Sequence, residues 1–171
     1  MTGRCLMVLA LAALPLVGAA AEFDEDYEAQ AWQELALKLP PPPRAETLQS
    51  FYVSATTDHY FSIDGATLST GADGVVRYVL VVETAGGARN VTYEGMRCET
   101  RERRVYASGR RDGTWSKARS NAWVRIQDVA TNRHHAALFL EYLCPGGVIV
   151  RSPEYALSLL RRGGLPMGRD W

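Results

Sequence analysis

Val75-Val76-Arg77-Tyr78-Val79-Leu80-Val81-Val82-Glu83 is the stretch on which the fold turns. Apart from Arg77 and Glu83, every residue is β-branched, aromatic or leucine, the composition that suits a pleated strand. Apolar side chains fall on odd and even positions alike, so both faces need cover and the strand is predicted to be central. Gly71-Ala72-Asp73-Gly74 turns the chain into it and Gly86-Gly87 turns it out. Asn90 to Cys98 is predicted to pair next, followed by Arg103 to Gly109, with Asp112-Gly113 turning toward Trp115. Upstream, Phe51-Tyr52-Val53 and Tyr60-Phe61-Ser62-Ile63 are short strand-like runs beside Asp58 and the Asp64-Gly65 turn. Short strands joined by tight turns point to an antiparallel meander rather than βαβ units.

The C-terminal third reads as helical. Thr131 or Asn132 can cap a segment reaching about Leu143, with Leu138, Phe139, Tyr142 and Leu143 on one stripe. Ser152-Pro153-Glu154 supplies a capping serine, a first-turn proline and an acid at the positive end of the helix dipole. Arg161-Arg162-Gly163-Gly164 ends that helix. The expected class is α+β: an antiparallel meander packed against C-terminal helices, with one disulfide.

The first residues predict export. Arg4 is the only charge before Glu22, Leu6 to Val17 is almost wholly apolar, and Gly18-Ala19-Ala20-Ala21 offers small residues for a peptidase. This is the pattern of a secretory signal peptide, residues 1–21, cut after Ala21 or next after Ala20. The apolar core falls short of the ~20 residues a membrane span needs. A lipid anchor would need a cysteine after the cut, and Cys5 comes too early. No later segment reads as a span, so the mature chain is expected to be periplasmic, with a secreted or surface-associated location as the alternative. The organisation predicted after the leader is an acidic and proline-rich segment (22–46), one domain (47–162) and a short tail (163–171).

With Cys5 removed, Cys98 and Cys144 remain. In an oxidising compartment such a pair is expected to bond. The bridge would close a loop of roughly 47 residues and contribute up to about 4 kcal/mol by chain entropy. A redox-active pair would call for C-x-x-C spacing, which is absent.

The chain carries 19 basic and 19 acidic residues. No bulk attraction to nucleic acid follows. The distribution is uneven, however. Glu22, Asp24, Glu25, Asp26, Glu28 and Glu34 all precede Lys38, whereas Arg97, Arg101, Arg103, Arg104, Arg110, Arg111, Lys117 and Arg119 crowd a short later stretch against Glu99, Glu102 and Asp112. Three readings stand: a surface for an acidic partner, a solvated arginine-rich face, or an internal match in which the acidic segment lies on the arginines. Tyr27, Ala31, Trp32 and Leu35 recur at helical spacing, and Pro40 to Pro43 then stops any helix and reads as a stiff spacer. Glu22 to Pro43 is accordingly expected to make few long-range contacts.

Chemistry-bearing groups are sparse. His134-His135 with Glu141 has poor spacing for a metal. His59 sits near Asp58 and Asp64 without a nucleophile-elbow serine. Glycines fall at turns rather than in a phosphate-binding loop, so no cofactor is expected. Asn90-Val91-Thr92 matches a glycosylation sequon but falls within a predicted strand. Trp115 and Trp123 flank a loop with Lys117 and Arg119, suited either to a partner or to closing the core edge.

From Phe51 to about Arg162 the chain resembles the cryptic neisserial protein-like family of exported bacterial proteins. The resemblance rests on Phe61-Ser62-Ile63-Asp64, Gly71 to Tyr78, Tyr93-Glu94-Gly95-Met96-Arg97-Cys98, Tyr106-Ala107, Gly113-Thr114-Trp115 and Cys144-Pro145. It implies export and a fold and supplies no active site. In pattern only, the order of strands, turns and cysteines is similar to the surface-adhesin E domain. That would imply an antiparallel sheet with a C-terminal helix tied by the disulfide, and host-protein binding.

The function expected is a non-enzymatic periplasmic or cell-envelope protein that binds a macromolecule with an acidic surface. The expected contact is Arg101, Arg103, Arg104, Arg110, Arg111, Trp115, Arg119 and Trp123. The alternative is a hydrolase-like enzyme, which a pocket uniting Asp64, Glu94 and His59 would favour.

Overall fold

The computed structural model describes residues 31–164. The predicted leader and its predicted cleavage site, the acids from Glu22 to Glu28 and the tail beyond Gly164 lie outside that range. Eight strands form one antiparallel sheet: β1 (Leu48–Ser50), β2 (Tyr60–Asp64), β3 (Ser69–Thr70), β4 (Val75–Glu83), β5 (Arg89–Arg97), β6 (Glu102–Gly109), β7 (Trp115–Lys117) and β8 (Val124–Arg125). The order across the sheet is β1-β2-β4-β5-β6-β7, with β3 on β4 and β8 on β6. The α+β meander is as predicted. The central position of β4 follows from its two apolar faces: Val75 to Val81 are all buried. Phe51-Tyr52-Val53 is not the first strand. The ladder uses Leu48–Ser50, and Phe51 adds one bond through its N–H to the Phe61 carbonyl, 3.0 Å.

One face of the sheet carries Phe61, Ile63, Val76, Tyr78, Leu80 and Met96 against the helices. The first helix, α1 (Arg133–Ala137), continues as a π-helical stretch Leu138–Leu143. Its predicted stripe of Leu138, Phe139, Tyr142 and Leu143 is buried. The side-chain cap expected from Thr131 or Asn132 is absent, because a 3-10 turn over Ala130–Asn132 leads directly into the helix. The second helix, α2 (Pro153–Arg162), starts as predicted: Ser152 Oγ accepts from the Tyr155 N–H at 3.2 Å. Gly163, at φ 78°, ends it in the left-handed conformation that favours glycine. Cys98, just past β5, and Cys144, at the end of the π-helical stretch, are disulfide-bonded with Cα atoms 5.3 Å apart. The bridge ties the helical layer to the central strands.

The opposite face holds Val79, Tyr93, Tyr106 and Ala107, with Val91 and Trp115 packed against them. A β-bulge opposite Tyr93 and Glu94 makes Tyr106 the extra residue of β6. Its ring lies over Gly95, where any Cβ would overlap the phenol oxygen.

A strap over residues 32–43 crosses this face, against the expectation of few long-range contacts. Residues 31–44 contain no helix. The helical spacing of Trp32 and Leu35 loses to an extended path because that path satisfies the strap's polar groups on the sheet. Trp32 Nε1 donates to the Asp73 carbonyl at 2.8 Å, and the Leu35 N–H donates to Asp73 Oδ2 at 2.9 Å. The Glu34 carboxylate accepts from Arg104 at 2.5 Å and from the Tyr106 hydroxyl, with Arg77 3.7 Å away. Further along, the Pro40 carbonyl accepts from Trp115 Nε1 at 2.7 Å. The Arg97 guanidinium lies 3.8 Å from the centre of the Trp32 ring, a cation–π contact. Of the three readings of the charge pattern, the internal match holds for Glu34.

Candidate functional site

The strap divides the eight residues predicted as one partner surface. Arg104, Trp115 and Trp123 lie on its face and are engaged there: Arg104 by Glu34, Trp115 by Pro40, and Trp123 by an edge-on contact with Trp32 at 5.9 Å. Both tryptophans close the core edge. Arg101, in the β5–β6 turn at φ 55°, places its guanidinium 5.3 Å from the Phe139 ring. Arg110 reaches Thr114 Oγ1 and the Trp115 carbonyl, each at 3.4 Å, and Arg111 is exposed on the same turn. Arg103 and Arg119 converge elsewhere.

They line a groove of about 600 Å³ at the outer strands. It forms because β6 pairs with two different strands. Its end, Ala107 to Gly109, bonds to β7, and its start, Glu102 and Arg103, bonds to β8. The chain between β7 and β8 loops away and leaves a hollow over Val105 and Ser108. Arg103, Lys117 and Arg119 supply positive charge; Ser108, Ser116 and Ser120 supply hydroxyls; no acid is among the lining residues. Among the described residues, no carboxylate pairs with any of the three cations. Lys117, counted in the basic cluster from sequence but not among the eight contact residues, completes this set.

A second hollow, about 410 Å³, lies at the start of α1 over β2, β4 and β5. The sheet register places it beside the groove: Thr92 and Glu94 line one, their cross-strand partners Ser108 and Val105 line the other. His59 and His134 also line it, and His135 stands behind, so all three histidines of the chain meet here. Glu94 is buried and fully partnered. Thr92 Oγ1 donates to Oε1 at 2.7 Å, the Tyr78 hydroxyl donates to Oε2 at 3.2 Å, and His135 Nε2 is 2.8 Å from Oε2. Burial alone would raise its pKa. The His135 charge and hydrogen bonds, with Arg103 beyond, outweigh burial and hold it well below the usual carboxylate range. Burial and the adjacent His135 push His134 down to about 4, so its ring is neutral near pH 7.

Asp64 does not join this group. It is buried in its own turn, where Oδ1 accepts from the Ala66 N–H at 3.3 Å. Glu94 and His59 do line one cleft, which sequence spacing could not bring together. Among the described residues, no three His, Cys, Asp or Glu side chains are placed to hold a metal ion. No helix among them is long and apolar enough to cross a membrane.

The model of the CNP1-like family matches residues 27–161. The chain belongs to the CNP1-like family. The matched span reaches from ahead of the strap almost to the end of α2, so the strap, the sheet, the disulfide, α1 and all of α2 but Arg162 fall inside it. No curated protein and no solved structure matches the chain.

Proposed function

We propose that this member of the CNP1-like family is an exported, envelope-associated binding protein that engages an acidic macromolecular partner without catalysing a reaction on it. The observation that carries the reading is the groove of Arg103, Lys117 and Arg119, which presents three cations and three serine hydroxyls and no acid. Arginine keeps its charge and offers a planar fork to carboxylates. Single exposed ion pairs are worth below ~1 kcal/mol, so affinity needs several acting together, with salt sensitivity as the consequence. The leader and the Cys98–Cys144 bridge support an oxidising compartment.

The hydrolase-like alternative would use Glu94 and His59. Binding is preferred because, among the described residues, no hydroxyl or thiol hydrogen-bonds a histidine ring. The test is photo-crosslinking in intact cells from Ser116 and Val124, at the groove. The expected result is a discrete adduct lost on R103Q/K117Q/R119Q and weakened by added salt. An adduct unchanged by both would remove the groove from the reading.

A further inference from the structure

We propose that the histidine cleft is a carbohydrate site that takes an uncharged sugar ring. The cleft adjoins the basic groove but shares no lining residue with it. Its volume, about 410 Å³, falls within the ~300–1,000 Å³ typical of small-molecule sites.

Its wall is a set of near-parallel rings. His134 stacks on Phe61 with centroids 5.1 Å apart and planes 16° from parallel, and His59 lies 6.3 Å from Phe61 at 19°. Phe61 is buried under the two imidazoles, so the wall offers the histidine rings with their nitrogens, beside the apolar side chains of Leu80 and Val82. Around it stand neutral groups that both donate and accept: Thr57 from the loop before β2, Asn90 and Thr92 from β5, and Thr131 ahead of α1. Thr92 has its hydroxyl proton committed to Glu94, so its oxygen is left to accept from a ligand hydroxyl.

Charge argues against an ionic ligand. The one carboxylate in the cleft, Glu94, spends both oxygens inside the protein. His134 is neutral near pH 7. A sugar ring combines an apolar face with hydroxyls around its rim, which is the complement of this lining. A smaller hollow of about 240 Å³ shares Thr57, His59, Phe61 and His134 and continues past Asp58 and Arg133. A linked second sugar can run into it.

The experiment uses the full mature protein. An array of neutral glycans is screened first. The imidazole NMR signals of His59, His134 and His135 are then followed as an N-acetylglucosamine tetramer, maltotetraose or any array hit is added, with adenosine as a flat heteroaromatic control. The expected result is saturable movement of the His59 and His134 signals with a saccharide. Loss of one hydrogen-bonding group is worth about 1.4 kcal/mol, so T92V and H134A should each weaken binding about tenfold. K117Q/R119Q, which leaves Arg103 in place, should leave saccharide binding unchanged, which separates failure of this site from failure of the groove. Variants are compared only where the thermal transition and the disulfide are retained; T92V and H134A serve as alternates should one not fold. The proposal is overturned by no saturable shift with any neutral saccharide, by binding of adenosine alone, or by saccharide affinity unchanged in both variants.

Discussion

Glu34 accepts a hydrogen bond from the Tyr106 hydroxyl across 72 residues of sequence, and the same carboxylate holds Arg104. The contact is part-buried, with Glu34 14% and Arg104 17% exposed at the side chain. Burial and the Glu34 carboxylate together keep the Tyr106 hydroxyl protonated far above its ordinary range, so it remains a donor at any physiological pH. Glu34→Gln should cost about 1.5–3 kcal/mol, the range for hydrogen bonds to charged groups. The urea midpoint should fall with the slope unchanged. A chain beginning at Arg44 should fall further, because Trp32 and Pro40 are lost with it. An unaltered midpoint in that truncated chain would show that the strap contributes nothing to the fold.

The arginines now separate into two groups with different expected phenotypes. Arg104→Gln breaks the contact with Glu34 and with Asn121 Oδ1, 3.1 Å away, and should lower the melting temperature. Arg111→Gln and Arg119→Gln touch exposed side chains and should shift stability by no more than ~0.5 kcal/mol. Differential scanning calorimetry of the three variants decides it, and equal melting temperatures for all three would contradict the division.

Gly95→Ala should displace the Tyr106 ring that lies over it. Overpacking of this kind costs about 1–3 kcal/mol. The cost should nearly vanish when Tyr106→Ala is already present, since the obstructing ring is then gone. A double-mutant cycle measures the coupling, and full additivity would contradict the close approach.

Acid should weaken the fold in two steps. His134 is depressed to about 4, so the unfolded chain takes up this proton first. Stability then declines as pH falls from about 6.5 to about 4. Glu94 is depressed to about 2 despite its burial. Its contribution is complete above the unfolded value near 4.5 and is lost as pH falls from there toward 2. Urea midpoints measured from pH 7 to 3 should show the upper decline flattened in His134→Gln and the lower one flattened in Glu94→Gln. Persistence of the upper decline in His134→Gln would assign it to another group.

Removing the bridge with Cys98→Ser and Cys144→Ser together should cost about 2–4 kcal/mol. Intact mass of the natural protein should show two hydrogens fewer than the reduced chain. Two alkylatable thiols in freshly isolated native protein would refute the bond in the cell.

Val75 to Glu83, the Ser152-Pro153 start and the cysteine pair were legible in the sequence because each rests on local pattern or simple counting. The strap was not. Its contacts are side-chain matches over long separations, such as Arg104 with Glu34 70 residues away, and no window of neighbouring residues contains both partners. The alternation of Leu35, Leu37 and Leu39 is no guide to it, because all three remain exposed on the strap. The groove was half legible. Arg103 and Arg119 stood out by charge, but Arg103 parts from Arg104 by the ordinary alternation of a strand, which sends neighbouring side chains to opposite faces, and Arg119 reaches it only through the path of the loop between β7 and β8. The histidine cleft depends on the approach of the loop before β2 to the start of α1, which composition does not encode.

The strap also has a consequence in time. Synthesis runs from the N-terminus, so Trp32, Glu34 and Pro40 are made well before Asp73, Tyr106, Trp115 and Trp123 exist to receive them. Contacts of such long sequence separation close late, after the loop between them has been ordered. Through that interval Trp32 and the sheet residues it will meet lack one another, and unpaired apolar surface of this kind makes a partly folded chain prone to wrong association. The acidic run from Glu22 to Glu28 directly precedes the strap and supplies like charge that discourages copies from meeting. The segment is the first part of the described chain to be made, and the sheet face it covers is complete only when β7 and the loop bearing Trp123 have followed.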